Sequence, residues 1–318
     1  MIIGIDLGNK NTKTKRDVFV SGVNFYDAKP PFAQDVIKLE DRYYTLSDRR
    51  LNYTREKIGD ENFLVLLLMA ICREIKFQGL KKSTFDIELC LGLPPAHYGS
   101  QVQKVIDYYS KEIKSISFEY NEKPMTLRFK NVGCYVQGHA ALMIHPEILK
   151  KYKRILLHDL GGFTWDYIVV IVGPNGELKI VAFNTMEHGI IPLYRKIIDF
   201  INAEYSMKFT EDVIDDILTG GEIPADNDEM EEKIRSTIDT MVYQYIDDGL
   251  KQIKEDDIDT KLYFNLFSGG SAITMEDYIK EIQRQGKIGK TDFIREIGAN
   301  AEGYEKIYKK MTFSHFEY

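Results

Sequence analysis

The chain has 318 residues, 44% of them apolar and 29% charged, which is enough apolar mass for two cores and excludes a disordered or fibrous chain. Its 42 Lys and Arg against 49 Asp and Glu leave a net charge of -7, which argues against gripping nucleic acid with the whole surface. Three cysteines, Cys72, Cys90 and Cys134, form no CxxC pair and fit a reducing cytoplasm better than a disulfide framework or a zinc site.

The opening MIIGIDLG has no basic leader and carries Asp6 inside its apolar run, so it does not read as a signal peptide. Residues 2–7 read as a strand, 8–11 as turn chemistry and 12–15 as a second strand. A helix is expected over 61–77. Its apolar stretch 63–71 is flanked by Asp60, Glu61, Arg73 and Glu74, far short of the roughly 20 residues that span a membrane. A soluble, cytoplasmic protein is expected. A strand over 85–91 then runs into Gly92–Leu93–Pro94–Pro95, followed by a helix over 98–113 and strands over 115–120 and 125–129. Residues 133–149 have helical spacing, with Pro146 expected to bend or end that helix.

The second half begins with a strand over 154–160 that leads into Gly161–Gly162, and strands over 164–172 and 177–183 flank a turn at 173–176. Helices are expected over 192–205, 211–218, 226–253 and 275–285. Between the last two lies a strand over 262–267 closed by Ser268–Gly269–Gly270, and a final helix covers 293–311. Strands alternating with helices mean an α/β protein. The two halves rhyme: Ile3–Gly4–Ile5–Asp6–Leu7–Gly8 and Leu156–Leu157–His158–Asp159–Leu160–Gly161 share apolar strand, Asp, Leu and Gly, each with a Thr in the next strand. A separation of about half the chain excludes a short solenoid repeat and suggests two related domains. From 211 to 259 there are 17 acidic and 4 basic residues, a local charge of -13 against +6 for the remainder. That is either a solvated helical face or one side of a charge-complementary contact between copies.

Asp6 at a strand end, beside the turn Gly8–Asn9–Lys10–Asn11, suits a hydrated magnesium ion with turn N–H groups on phosphate oxygens. Lys13 would add a point charge for a β- or γ-phosphate. An ordinary hairpin with a capping Asp is the competing reading. Asp159, Gly161, Gly162, Phe163 and Thr164 repeat the arrangement, with adjacent glycines that let backbone approach a ligand. Ser268, Gly269, Gly270 and Ser271 at a strand end before a helix suit a purine and its ribose. Two matches are set aside. Gly289–Lys290–Thr291 resembles the end of a Walker A loop, but the Gly required five residues earlier is Arg284. The six histidines show no metal spacing, and His158 reads as a packed core histidine.

Taken in order, these elements resemble the actin, heat-shock chaperone and sugar-kinase ATPase superfamily, over nearly the whole chain. Residues 133–142, which include Gln137–Gly138–His139–Ala140–Ala141–Leu142, look like its first connecting helix, and Gly298–Ala299–Asn300–Ala301–Glu302–Gly303–Tyr304 look like its second. Together with His188–Gly189–Ile190, they look most like the bacterial and archaeal actin-like branch, including ParM-type plasmid-segregation filaments. The resemblance implies a two-domain actin-like ATPase fold with duplicated mixed-sheet domains about a nucleotide cleft. Domain I would comprise 1–146 plus 300–318 and domain II 147–299. It implies ATP or GTP with Mg2+, with Asp6 and Asp159 as magnesium-organising and hydrolysis-supporting aspartates and Gln137 as the residue that positions attacking water. Glu187 lies in a loop that approaches the nucleotide in related proteins, though a surface acid on a turn is an equal reading. Phe163 and Trp165 depart from the small polar residues usual after the second Asp-Gly-Gly.

The function implied is a nucleotide-hydrolysing protein that polymerises head to tail and moves plasmid copies through a DNA-binding adaptor, without direct nucleic-acid or membrane binding. The rivals are a metabolic kinase or phosphatase on the same fold and a chaperone-like nucleotide switch. The first lacks a visible extra catalytic carboxylate; the second lacks residues for a substrate-binding domain.

Overall fold

The structure, a computed structural model, describes residues 1–313. Among the described residues, Met1–Pro146 and 296–313 form one compact unit, and Glu147–Arg295 form a second. Residues 314–318, placed above in domain I, lie outside the described residues.

Unit 1 is built on nine strands: β1 (Ile2–Leu7), β2 (Asn11–Thr14), β3 (Val18–Val20), β4 (Val23–Tyr26), β5 (Ile37–Leu39), β6 (Arg42–Leu46), β7 (Thr84–Leu93), β8 (Ser115–Tyr120) and β9 (Lys123–Val136). Their order is β3-β2-β1-β7-β9-β8-β5-β6-β4. The apolar strands β1, β7 and β9 run parallel at its centre, and β2 folds back antiparallel on β1. Helix α1 (Glu61–Phe77) has the expected bounds; Asp60 caps it by accepting from Asn62 N at 2.8 Å, and its middle is wholly buried. Helix α2 (Pro95–Asp107) starts three residues before the expected 98, because Pro95 suits the first helical turn, and it gives way to a π turn at Tyr108–Glu112.

The helix expected over 133–149 is not formed as such. Residues 133–136 complete β9, paired with β7 from Cys90↔Gly133 to Leu93↔Val136, so sheet pairing overrides the local helical spacing. Gly138 then turns the chain at φ 73, α3 (His139–Leu142) lasts four residues, and Pro146 opens a separate helix, α4 (Pro146–Lys151), rather than ending one. The closing helix of the unit, Ala299–Phe313, lies directly on backbone: a Cβ on Gly4 would stand 2.0 Å from the Ala301 carbonyl oxygen, and one on Gly303 would stand 2.0 Å from that of Ala140. Tyr304 and Tyr308 bury themselves there with Cys90 and Ala140, and Tyr135 stacks on Tyr304 at 5.9 Å.

Unit 2 carries β10 (Arg154–Leu160), β11 (Trp165–Val172), β12 (Leu178–Met186), α5 (Ile190–Tyr205), α6 (Glu211–Leu218), α7 (Asp228–Glu255), β13 (Phe264–Ser268), α8 (Gly270–Thr274), α9 (Glu276–Arg284) and β14 (Thr291–Phe293). The helix Ala299–Phe313 is α10. The five strands are ordered β12-β11-β10-β13-β14, with β10 and β13 parallel and buried at the centre. Phe293 belongs to β14 and the last helix begins at Ala299, not at 293; a three-residue strand is too short to show a period of two. In α7, Ile234, Ile238, Val242, Ile246, Leu250 and Ile253 form a buried stripe while most of its acids stay exposed, so this acidic segment is largely a solvated helical face.

Candidate functional site

Each unit presents one hairpin that ends in a buried aspartate. In unit 1, Asp6 is 8% exposed near the end of β1, and pairing sets Lys13 of β2 directly opposite it. Gln137, at the turn that follows β9, donates its Nε2 to Asp6 Oδ1 at 2.9 Å. This turn is fixed on both sides, since Leu93 O accepts from Gln137 N at 2.9 Å and Asn300 Oδ1 accepts from Gly138 N at 2.8 Å. The hairpin turn is held in the same way. Ser21 donates its hydroxyl to Gly8 O at 2.6 Å and its N–H to Lys10 O at 3.0 Å, and Asn9 exchanges hydrogen bonds with the backbone of Thr54. Gly8 has no room for a side chain, because a Cβ would lie 2.5 Å from Asn11 O.

In unit 2, Asp159 is 9% exposed near the end of β10, where it pairs in register with Ser268 of β13. This pairing brings the Gly161–Thr164 loop and the Ser268–Ser271 loop together at the C-terminal ends of two adjacent central strands. Ser271 Oγ donates to Gly161 O at 2.9 Å, and Gly161 N donates to Thr164 O at 2.8 Å. Gly269, at φ +91, allows the close approach: a Cβ would meet Leu160 O at 2.4 Å and Asp159 Oδ1 at 2.8 Å. Gly270 has open space at its Cβ position. The loop also caps α5, since Ile190 N and Ile191 N donate to the carbonyls of Gly161 and Gly162. Glu187 sits at the junction of β12 and α5, and Gly189 N two residues on donates to Phe163 O at 3.0 Å. The Phe163 ring is buried under the Arg195 guanidinium at 5.9 Å. The bulky residues that depart from the family pattern are therefore core residues.

His158 is fully buried, as its strand setting suggests. Its Nδ1 accepts from Trp165 Nε1 at 3.2 Å, its Nε2 faces Asn265 Oδ1 at 3.1 Å, and its ring stacks on Phe267 at 4.2 Å. Burial pushes its pKa down to about 4, and the bond to Asn265 opposes this.

Two groups at these hairpins escape the sequence reading. Lys57, in the irregular segment before α1, donates from Nζ to Leu7 O beside Asp6. Asp166, 4% exposed on β11, lies opposite Asp159 in register and accepts from Thr164 Oγ1 at 3.5 Å. Asp166 could have been suspected from its place two residues after Thr164; nothing local marks Lys57.

No group of three or more His, Cys, Asp or Glu side chains gathers as a metal site among the described residues. Within each unit taken by itself, a single carboxylate suits only an ion that keeps most of its water: Asp6 has one oxygen engaged by Gln137, and Asp159 borders the side-chain-free backbone of Gly269. Glycine-bounded turns beside buried carboxylates can take up phosphate oxygens and a hydrated divalent cation. Among the described residues, no helix is long and apolar enough to cross a membrane.

Two α/β units, each with a buried aspartate near the end of an inner strand of its sheet, define the actin-like fold. No family model matches the chain, and no curated protein matches its sequence. Solved structures do match. A ParM from a 15-stranded filament of Clostridium botulinum is 20% identical with a TM-score of 0.72, covering 97% of this chain and 99% of its own. Ta0583, an archaeal actin homologue, is 14% identical with a TM-score of 0.73 over 97% and 99%. Its complex with ADP is 15% identical with a TM-score of 0.68 over the same shares. The structural neighbours are thus ParM and other bacterial and archaeal actin homologues, the branch that the sequence resembles.

Proposed function

We propose that this chain is a nucleotide-dependent polymerising protein that binds ATP or GTP with Mg2+, assembles head to tail, and loosens its filament by hydrolysis. The observation that carries this reading is the duplicated hairpin with a buried aspartate, Asp6 in one unit and Asp159 in the other. The full-length likeness to a filament subunit supports it. Asp6 on one hairpin and Asp159 on the other would hold a hydrated magnesium, which would supply positive charge against that developing on phosphate oxygens. The turns Gly8–Asn11 and Gly161–Thr164, with Lys13, bind phosphate oxygens, and Ser268–Ser271 carry the nucleoside. Gln137 orients the attacking water: one of its two amide N–H bonds goes to Asp6, which fixes the side chain, and phosphoryl transfer asks for a placed water more than for a strong base. Glu187 belongs to the same loop cluster as the second turn. Head-to-tail assembly uses two different, complementary faces of the subunit, a heterologous contact that does not close on itself. The biological role proposed is plasmid segregation through a DNA-binding adaptor.

The test is light scattering and electron microscopy over a concentration series with Mg–ATP, Mg–GTP and slowly hydrolysed analogues. Filaments should appear above a critical concentration with triphosphate and shorten as it is consumed, and Asp159→Ala should abolish hydrolysis. Turnover by a protein that stays monomeric throughout would overturn the filament reading in favour of a kinase or phosphatase on this fold.

A further inference from the structure

Residues 47–60 form neither helix nor strand, yet they are fastened along the first hairpin. Leu51 N donates to Ser21 O at 2.8 Å, Asn9 Nδ2 donates to Thr54 O at 3.1 Å, and Thr54 N donates to Asn9 Oδ1 at 3.3 Å. This strap ends by delivering Lys57, whose ammonium meets the Leu7 carbonyl at the end of β1 and lies 5.3 Å from the centre of the Phe63 ring. Among the described residues that carbonyl is its one hydrogen-bond acceptor, although an ammonium carries three N–H bonds. Burial pushes its pKa down to about 8, and the Asp6 charge offsets only part of this. Asp6 is also shared, because its Oδ1 already accepts from Gln137. A half-buried cation whose one protein acceptor is a neutral carbonyl, near a carboxylate already bonded elsewhere, is an expensive arrangement unless an anion completes it.

The geometry points to Lys57 as a phosphate-binding residue, whose ammonium, held at the end of β1 by the Leu7 carbonyl, takes the terminal phosphate of a nucleotide bound at the first hairpin. This rests on the nucleotide reading above. It gives the strap a purpose: Thr54 and Asn9 set the depth of Lys57, and the phosphate supplies the negative charge that Asp6 alone only partly provides. Lys57 therefore determines the preference for a triphosphate over the bare nucleoside, while Lys13, on the neighbouring strand, serves from the hairpin itself.

The intact protein is titrated calorimetrically with Mg–AMPPNP, Mg–GMPPNP, adenosine and guanosine, as wild type, Lys57→Met and Lys57→Arg. Losing a charge-assisted hydrogen bond should weaken the preferred triphosphate about 10- to 100-fold in Lys57→Met. The matching nucleoside should keep its affinity, and Lys57→Arg should restore most of the triphosphate affinity. Equal weakening of triphosphate and nucleoside would mean that Lys57 only shapes the hairpin, and unchanged affinity for both would mean that it touches no phosphate; either overturns the assignment of Lys57 alone. Wild type that binds none of the four ligands would overturn the nucleotide reading and this inference together.

Discussion

Lowering the pH should unfasten unit 2 through one side chain. The neutral His158 ring accepts from Trp165 Nε1 on one side and donates to Asn265 on the other, with Phe267 stacked on its face. Protonation would set two donors against each other at Nδ1 and leave a charge in a dry core. In the unfolded chain the same ring takes its proton near pH 6.5, but in the folded unit only at about 4. The folded pKa is depressed and the group is basic, so its stabilisation is fully present above about pH 6.5 and is lost as pH falls towards about 4. Between about pH 7.5 and about pH 5 the loss from this residue is about 2 kcal/mol. Trp165 is the chain's one tryptophan and is bonded to His158, so its fluorescence during urea unfolding reports unit 2. His158→Gln can still accept from Trp165 and donate to Asn265 but does not titrate, so its stability should fall less over this interval, by about 2 kcal/mol. Parallel pH dependences for the two proteins, within about 0.5 kcal/mol, would refute this account.

Gln137→Ala should slow hydrolysis strongly while leaving nucleotide affinity largely intact, measured as phosphate release beside a binding titration; parent-rate hydrolysis would remove Gln137 from the mechanism. Gly249→Ala should destabilise unit 2 by about 1–3 kcal/mol and shift the Trp165 emission, because its Cβ would stand 2.3 Å from Trp165 Cζ3 and 2.9 Å from the His188 ring. Tryptophan-monitored urea melts read this out directly.

Much of the fold is legible wherever residues obey one strong local rule. The α1 helix shows itself by ten consecutive buried residues, Phe63 to Cys72, between charged ends, and β1 and β10 by apolar runs that stop at Asp, Leu and Gly. The hairpins Asp6–Lys13 and Asp159–Thr164 follow from these runs, and the structure sets Gln137 on Asp6 across 131 positions of sequence. What stays hidden depends on distant partners. Strands β3 to β6 have three to five residues each and exist through pairing, as Ile37 does with Tyr44 on one side and Tyr120 on the other. Residues 133–136 carry a helical spacing that β7 overrides by offering a complete ladder of hydrogen bonds. Lys57 is invisible for the same reason: its meaning comes from Leu7, fifty positions away, and from a strap with no periodic signal.

The contact of α10 with β1 and α3 has a consequence for biosynthesis. The two glycines that admit this helix, Gly4 and Gly303, belong to opposite ends of the chain, and the cluster of Cys90, Ala140, Tyr304 and Tyr308 draws on three separate stretches of it. Chains leave the ribosome from the N-terminus, and domains fold as units when their last element emerges. Unit 2 is one unbroken run, Glu147–Arg295, and is complete before α10 has been made. Within this sequence unit 1 is begun before unit 2 and closed after it: until α10 arrives, the face of β1 and β7 that it covers stays open while the whole of its neighbour is translated.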